Sequence, residues 1–190
     1  GSCTEGRIAA KGAIAYILDH PEEPKVDGSE VEALRERILR PLALFEEFKG
    51  FSSDPDINPN FMKPRGFMIR LQKLMDEYGG GITSQFTTNE KLLDRGLELL
   101  ALLKEDSEKL AAQNLHELMR CWENIQRLWI AESHLRHIRF RQESRWPGYY
   151  LRSDYPAMDE TNWKVFVNSR WDSRTGEWEM TKKPVLSIVP

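Results

Sequence analysis

Residues 114–145 read NLHELMRCWENIQRLWIAESHLRHIRFRQESR, and the spacing within them decides the fold. Leu115, Leu118, Met119, Trp122, Ile125 and Trp129 recur three and four residues apart. That interval places side chains on one face of an α-helix. His116, Glu117, Arg120, Glu123, Asn124 and Arg127 fill the other face, and no Gly or Pro interrupts the run before Pro147. Roughly 30 residues at ~1.5 Å each predict a helix of about 45 Å. A helix that long and that amphipathic needs other helices to cover it. The apolar segments upstream carry the same period, so they supply the cover.

Working backwards, residues 87–104 read as a Leu-rich helix with Leu92, Leu93, Leu97, Leu100 and Leu103 inward. Thr87 and Glu90 have the spacing of a capping box at its start. Residues 61–78 fit another helix with Pro64 in its first turn, a position that tolerates proline. Its stripe is Phe67, Met68, Leu71, Leu74, Met75 and Tyr78, and Gly79, Gly80 and Gly81 end it. Residues 51–60 form a Pro-, Asp- and Asn-rich loop. Ser29 and Glu32 open a further helix to about Phe48, which Pro41 should kink or divide. Ser2 and Glu5 open the first, ending near Leu18 because Pro21 follows. Gly6, Ala9, Ala10, Gly12, Ala13 and Ala15 make this first helix unusually small-sided. It suits close packing on a neighbouring helix, or on a sheet or cofactor outside this chain. Ile8, Ala9, Ile14 and Ile17 are therefore expected to be partly bare. A chain opening on a helix cap reads as a piece of something larger, although Gly1 and Ser2 are also the pair an expression tag leaves behind.

Downstream of Pro147 the texture changes. Residues 165–171 are β-branched and aromatic, DSRTG at 172–176 reads as a turn, and residues 177–181 complete a hairpin. Pro184 interrupts, and residues 185–189 form a short apolar tail. The expected fold is mainly α: a helical bundle around one long C-terminal helix, followed by a small β-hairpin tail.

The 190 residues are enough for one domain with a sizeable core. A net charge of −3 lacks the basic excess of a nucleic-acid binder. No apolar run approaches the ~20 residues of a membrane span. Residues 8–18 lack the basic lead and cleavage site of a signal peptide. Cys3 and Cys121 are too few and too far apart for a disulfide framework. The expected compartment is the cytoplasm.

The candidate sites mostly have plain readings. His134 and His137 lie three apart with no matching carboxylate or cysteine, so they read as solvated or packing side chains, and no metal ligands are assigned. Arg136, Arg139, Arg141 and Arg145 suit a helix C-terminus, or else contact with an acidic partner or a phosphate. Gly79, Gly80 and Gly81 lack the Lys and Ser/Thr of a phosphate loop. Cys3 at a helix N-terminus favours a thiolate but has no base beside it. No catalytic residues are assigned.

Several segments together resemble the C-terminal part of the flavoprotein (alpha) subunits of dissimilatory adenylylsulfate reductases, a branch of the fumarate reductase/succinate dehydrogenase flavoprotein superfamily. GSCTEGRIAAKGAIAYI at 1–17 resembles that family's last flavin-domain segment, with Cys3 where an aromatic residue is usual. Glu143, Ser144 and Arg145, then Arg152, Asp154, Tyr155 and Pro156, then Asp159 and Trp163, resemble the superfamily's closing helical domain. Where fumarate reductases carry Gly-Ala-His, this chain has Trp146, Pro147, Gly148, Tyr149 and Tyr150. That change, with NWKVFVNSRWDSRTGEWEM at 162–180, resembles the adenylylsulfate reductase branch.

The resemblance implies a parent enzyme with FAD in its alpha subunit. That enzyme interconverts adenosine 5′-phosphosulfate with sulfite and AMP, fed by an iron–sulfur beta subunit. It implies residues 1–20 as the last helix of an upstream FAD-binding domain, 21–145 as a helical C-terminal domain and 146–190 as an aromatic-rich loop and hairpin tail. Ser2, Cys3 and Thr4 are the implied cofactor-binding residues, at a helix N-terminus aimed at the flavin. The expected role of this chain is structural and subunit-contacting, and by itself it should neither hold FAD nor catalyse. Trp163 and Phe166 should pack on the helices, leaving Trp171 and Trp178 partly exposed for the beta subunit. The alternative is a free-standing helical interaction module with no redox role.

Overall fold

The computed structural model describes residues 1–54, 57–145 and 150–186. Trp146, Pro147, Gly148 and Tyr149 lie outside them, as does the apolar tail beyond Leu186. The chain forms two units, Gly1–Ile38 and Leu39–Pro190.

The first unit is helical. Its α1 (Ser2–Asp19) is regular along its length and has no buried residue. Ser2 is not its cap. Gly1 takes that position and its carbonyl accepts the Glu5 N–H at 3.0 Å, with no side-chain cap bond. Ser2 already lies within the helix, whereas a capping hydroxyl must hang from an extended residue before it. The start of α2 (Gly28–Phe48) is shifted in the same way. Asp27 accepts the Ser29 N–H at 2.8 Å and its hydroxyl at 2.6 Å, so a carboxylate displaces the expected serine.

The second unit begins within α2. Pro41 does not divide that helix: its ring is buried and its carbonyl accepts the Ala112 N–H at 2.9 Å. Phe45 then packs on Phe61, ring centroids 5.6 Å apart. Helix α3 (Pro64–Tyr78) starts three residues later than its period suggests. Met62 is held extended instead, donating its N–H to Lys109 and accepting from Ala111. Helix α4 (Glu90–Ser107) is capped by Asn89, whose side chain accepts the Leu92 N–H, and not by Thr87. Thr87 and Thr88 form β1 (Thr87–Thr88), paired in parallel with β2 (Leu151–Arg152).

Helix α5 (Leu115–Phe140) opens on Asn114, whose side chain accepts the Glu117 N–H at 3.0 Å. At ~1.5 Å per residue its 26 residues span about 39 Å. It stops at Arg141 (φ −80°, ψ 110°), well short of Pro147. Its buried face is also rotated from the expected one. Leu118, Cys121, Asn124, Leu128, Ala131, Glu132 and Leu135 are buried, whereas Leu115 is 73% exposed and Met119 and Trp129 are also exposed. Apolar residues ring this helix on more than one side, so period alone could not choose the inward face. The two polar residues turned inward are both partnered. Asn124 donates to the Pro64 carbonyl at 2.8 Å. Glu132 accepts from Lys104 and Arg136.

Helices α3, α4 and α5 enclose one core built on Phe67, Leu71, Leu93, Leu100, Leu128 and Leu135. The helices meet closely at Gly96, where a Cβ would sit 2.9 Å from the Tyr78 Cβ and 3.4 Å from Leu135. Gly96→Ala is therefore expected to destabilise the protein by about 1–3 kcal/mol, although alanine in a free helix gains up to about 1 kcal/mol over glycine. Urea unfolding midpoints check this, and an unchanged or raised midpoint contradicts it.

The short helix α6 (Glu160–Trp163) leads into the hairpin of β3 (Val165–Asp172) and β4 (Glu177–Pro184). They pair antiparallel from Val165 opposite Pro184 to Asp172 opposite Glu177. Pro184 thus ends the second strand inside the pairing and does not interrupt it earlier. Trp163 is buried edge-on to Phe140, as expected. Phe166 is not packed inward: it is 60% exposed. Trp171 is 39% exposed and meets Trp129 of α5 edge-on at 4.7 Å, while Trp178 is half-buried beneath Arg136. Among the described residues, no helix is long and apolar enough to cross a membrane.

Candidate functional site

Two places carry the residues that the sequence singles out. The first is the N-terminus of α1. Ser2, Cys3 and Thr4 are exposed there, and the first helical bond runs from Glu5 back to Gly1. Their backbone N–H groups precede that bond and no side chain caps them. Free N–H groups and the helix dipole favour a negative group at this end. The geometry therefore suits a negatively charged group.

The second place is a junction of buried charge where α5 ends, and it gathers the whole closing motif. Glu143 is fully buried. It accepts from Arg141, from Arg145 at 2.7 and 3.0 Å, and from the Asp159 N–H at 3.0 Å. Arg141 also donates to the Trp163 and Val165 carbonyls at 2.9 Å, fixing the start of the hairpin. Arg145 continues to Glu160 at 2.7 Å. Asp159 caps α6, accepting from the N–H groups of Thr161 and Asn162. Ser144 accepts the Arg152 N–H at 2.8 Å and donates to the Tyr155 carbonyl.

Arg152, also fully buried, ties this junction to two helix ends. One of its nitrogens donates to the carbonyls of Ile138, Arg139 and Arg141, which α5 leaves unpaired where it stops. The other two grip Asp154 in a fork at 2.8 and 2.6 Å. Asp154 in turn accepts the Glu90 N–H at the start of α4, at 2.9 Å. A cation thus sits at a helix C-terminus and its counter-ion at a helix N-terminus, each favoured by the local dipole. The α5 helix ends early because this side chain takes over its last carbonyls.

The electrostatics follow from these contacts. Burial raises the Glu143 carboxyl, but hydrogen bonds from Arg145, the Asp159 amide and Arg141 outweigh it and hold the group below its ordinary value. The Arg152 fork holds Asp154 low against a smaller opposing effect of burial. Burial pushes Tyr150, on the cleft beside this junction, up to about 12. Both carboxylates are depressed in the folded state. Their stabilisation is therefore complete above the unfolded carboxylate range and is lost as pH falls through the folded values. Stability should hold from pH 7 to about pH 5 and decline below that. Urea midpoints across that range measure the decline, and it should be shallower in Asp154→Asn. An equally steep decline in that variant would remove Asp154 as a source.

Among the described residues, every charged member of this junction is engaged by another. His134 is exposed, and His137 is held by the Ser133 carbonyl at 2.7 Å. Among the described residues, no three His, Cys, Asp or Glu side chains converge as a metal site would require. Cys121 is buried and its thiol is pushed up to about 12, chiefly by desolvation. The role of Arg152 and Glu143 was not readable from the residues alone, since charged residues are nearly always at the surface.

The profile of the family described as fumarate reductase flavoprotein C-term matches residues 69–188, and the chain belongs to that family. Within it, the chain is 46% identical over its whole length to adenylylsulfate reductase subunit alpha of Megalodesulfovibrio gigas, covering 28% of that protein. It superposes on the structure of adenylylsulfate reductase from the hyperthermophilic Archaeoglobus fulgidus with a TM-score of 0.96 and 49% identity, covering 100% of this chain and 30% of that one. The Mycobacterium smegmatis Sdh1 complex shares the fold, with a TM-score of 0.65 and 21% identity over 94% of this chain and 28% of that one. The chain thus spans under a third of the length of these relatives.

Proposed function

We propose that this chain is the C-terminal helical domain of the alpha subunit of an adenylylsulfate reductase. The parent enzyme would reduce adenosine 5′-phosphosulfate to sulfite and AMP, or run the reverse. The observation that carries this reading is the end-to-end match: every residue aligns, at 46–49% identity, with adenylylsulfate reductase chains. The same match supports assigning α1, with the rest of residues 1–20, to the FAD-binding domain, 21–145 to the helical domain and 146–190 to the tail. No observation favours a free-standing interaction module.

In this reading FAD supplies the two-electron chemistry, and Ser2, Cys3 and Thr4 present their N–H groups to it. One helix end contributes about 0.3–1 kcal/mol of anion stabilisation, whereas micromolar affinity requires about 8 kcal/mol. The 190-residue chain alone should therefore elute colourless from gel filtration with added FAD. Its exposed α1 face, with Ile8, Ile14 and Ile17, supports packing on the flavin domain. The exposed edge of Trp171 supports contact with the iron–sulfur beta subunit, since tryptophans are enriched at interface hot spots.

The full-length protein tests the reading. It should carry a flavin absorption band and reduce an electron acceptor with sulfite only when AMP is present. Cys3→Asp should lower the flavin midpoint potential by placing a negative charge at the helix end. Trp171→Ala should loosen the second subunit more than it lowers Tm. A colourless full-length protein, or turnover indifferent to AMP, would defeat the enzymatic assignment.

A further inference from the structure

A cleft of about 840 Å³ opens beside the start of α3, away from the charge junction. Its base is rigid. Met62 is bonded to Lys109 and Ala111 along the backbone, and Asn58 donates to the Phe48 carbonyl. Lys63 is nearly buried, with its ammonium 3.3 Å from Glu117 and 4.9 Å from the Phe45 ring centroid. Around this base stand Arg65, Arg70 and Lys109, all exposed. Among the described residues, four cations therefore face two carboxylates, Asp106 and Glu117, in a chain whose net charge is −3. Arg70 and Lys109 share Asp106, and Arg65 has no ion-pair partner among the described residues. The uncapped first turn of α3 adds the N–H groups of Arg65 and Gly66, which precede the first helical bond from Phe67 to Lys63.

We propose that this cleft is a docking groove for an acidic, extended polypeptide segment of a partner protein. The local charge is opposite to that of the chain as a whole, so it attracts a negative occupant. Arg70 and Lys109 are held on Asp106 and Lys63 on Glu117, so the cations are anchored at separate places along the lining and suit a segment that runs past them. Ile57 and Ile69 are exposed on the same walls and offer contacts to side chains between the acidic ones. An alternating acidic and apolar segment matches both features. This inference is independent of the redox assignment.

The test uses the full-length protein and a fluorescein-labelled peptide of alternating Asp and Leu, followed by anisotropy. Binding should weaken by roughly tenfold or more in Arg65→Glu and in Lys109→Glu, and should weaken with added salt. Arg174→Glu, on the hairpin turn, should leave it unchanged. Both test positions are exposed, and matching thermal melts establish that the variants are folded. The milder Arg65→Ala should show a smaller loss in the same direction. No binding, or binding equal in all variants, overturns the proposal. Displacement of the peptide by inorganic phosphate or by a single-stranded DNA oligonucleotide at lower concentration also overturns it, because the groove would then be an oxyanion site.

Discussion

Replacing Arg152 with Met is expected to lower the unfolding free energy by about 3–5 kcal/mol, the usual cost of removing one partner from a buried ion pair. Two debts arise at once. Asp154 keeps its charge but loses the fork that holds it low. The carbonyls of Arg139 and Arg141 lose this donor, and that of Ile138 keeps only the Tyr150 hydroxyl at 3.4 Å, in a site without solvent access to the arginine. For a protein of this size the loss corresponds to a Tm lower by roughly 6–20 °C. Arg152→Lys should recover little, because an ammonium cannot fork to Asp154 and reach three carbonyls together. Urea denaturation gives the free energies. A loss under about 1 kcal/mol for Met, or near-complete recovery by Lys, would mean that the charge alone matters and the fork does not.

The second large effect is expected at Glu143. Glu143→Gln keeps the shape and removes the charge that Arg141 and Arg145 share. Both arginines keep other acceptors, in the Trp163 and Val165 carbonyls and in Glu160, so the loss should be about 3 kcal/mol, below that of Arg152. It should also be local. Amide exchange should quicken across α6 and the first residues of β3, which this junction ties to α5, before it quickens in α3 and α4. Exchange that quickens equally in α3 and α4 would show that the junction stabilises the whole fold and does not anchor the hairpin.

These two residues show where sequence reading stops. Glu143, Ser144, Arg145, Arg152 and Asp154 are visible as a motif, but nothing local says that Glu143 and Arg152 are buried. Their burial rests on partners brought near by the fold: Asp154 reaches Glu90 across 64 positions, and Arg152 pairs in register with Thr88. The parallel pairing of β1 and β2 was invisible for the same reason. Two residues on each side carry no periodic signal. The caps at Ser2, Ser29 and Thr87 failed differently. Each lay within two residues of the true start, and the competing groups, Gly1, Asp27 and Asn89, differ too little in preference for sequence to rank them.

The number and order of the long helices, the hairpin and its turn, and the family motif are all legible along the chain, because period and turn chemistry act over a few residues. Which side of α5 faces inward, and where that helix ends, follow from packing between distant segments. Leu115, Met119 and Trp129 are as apolar as Leu118, Leu128 and Leu135, and a helix can bury either side. The choice fell to the shapes of α3 and α4, with Gly96 allowing close approach and Asn124 and Glu132 finding partners. The end of α5 fell to Arg152, a side chain from beyond the helix that satisfies its last carbonyls.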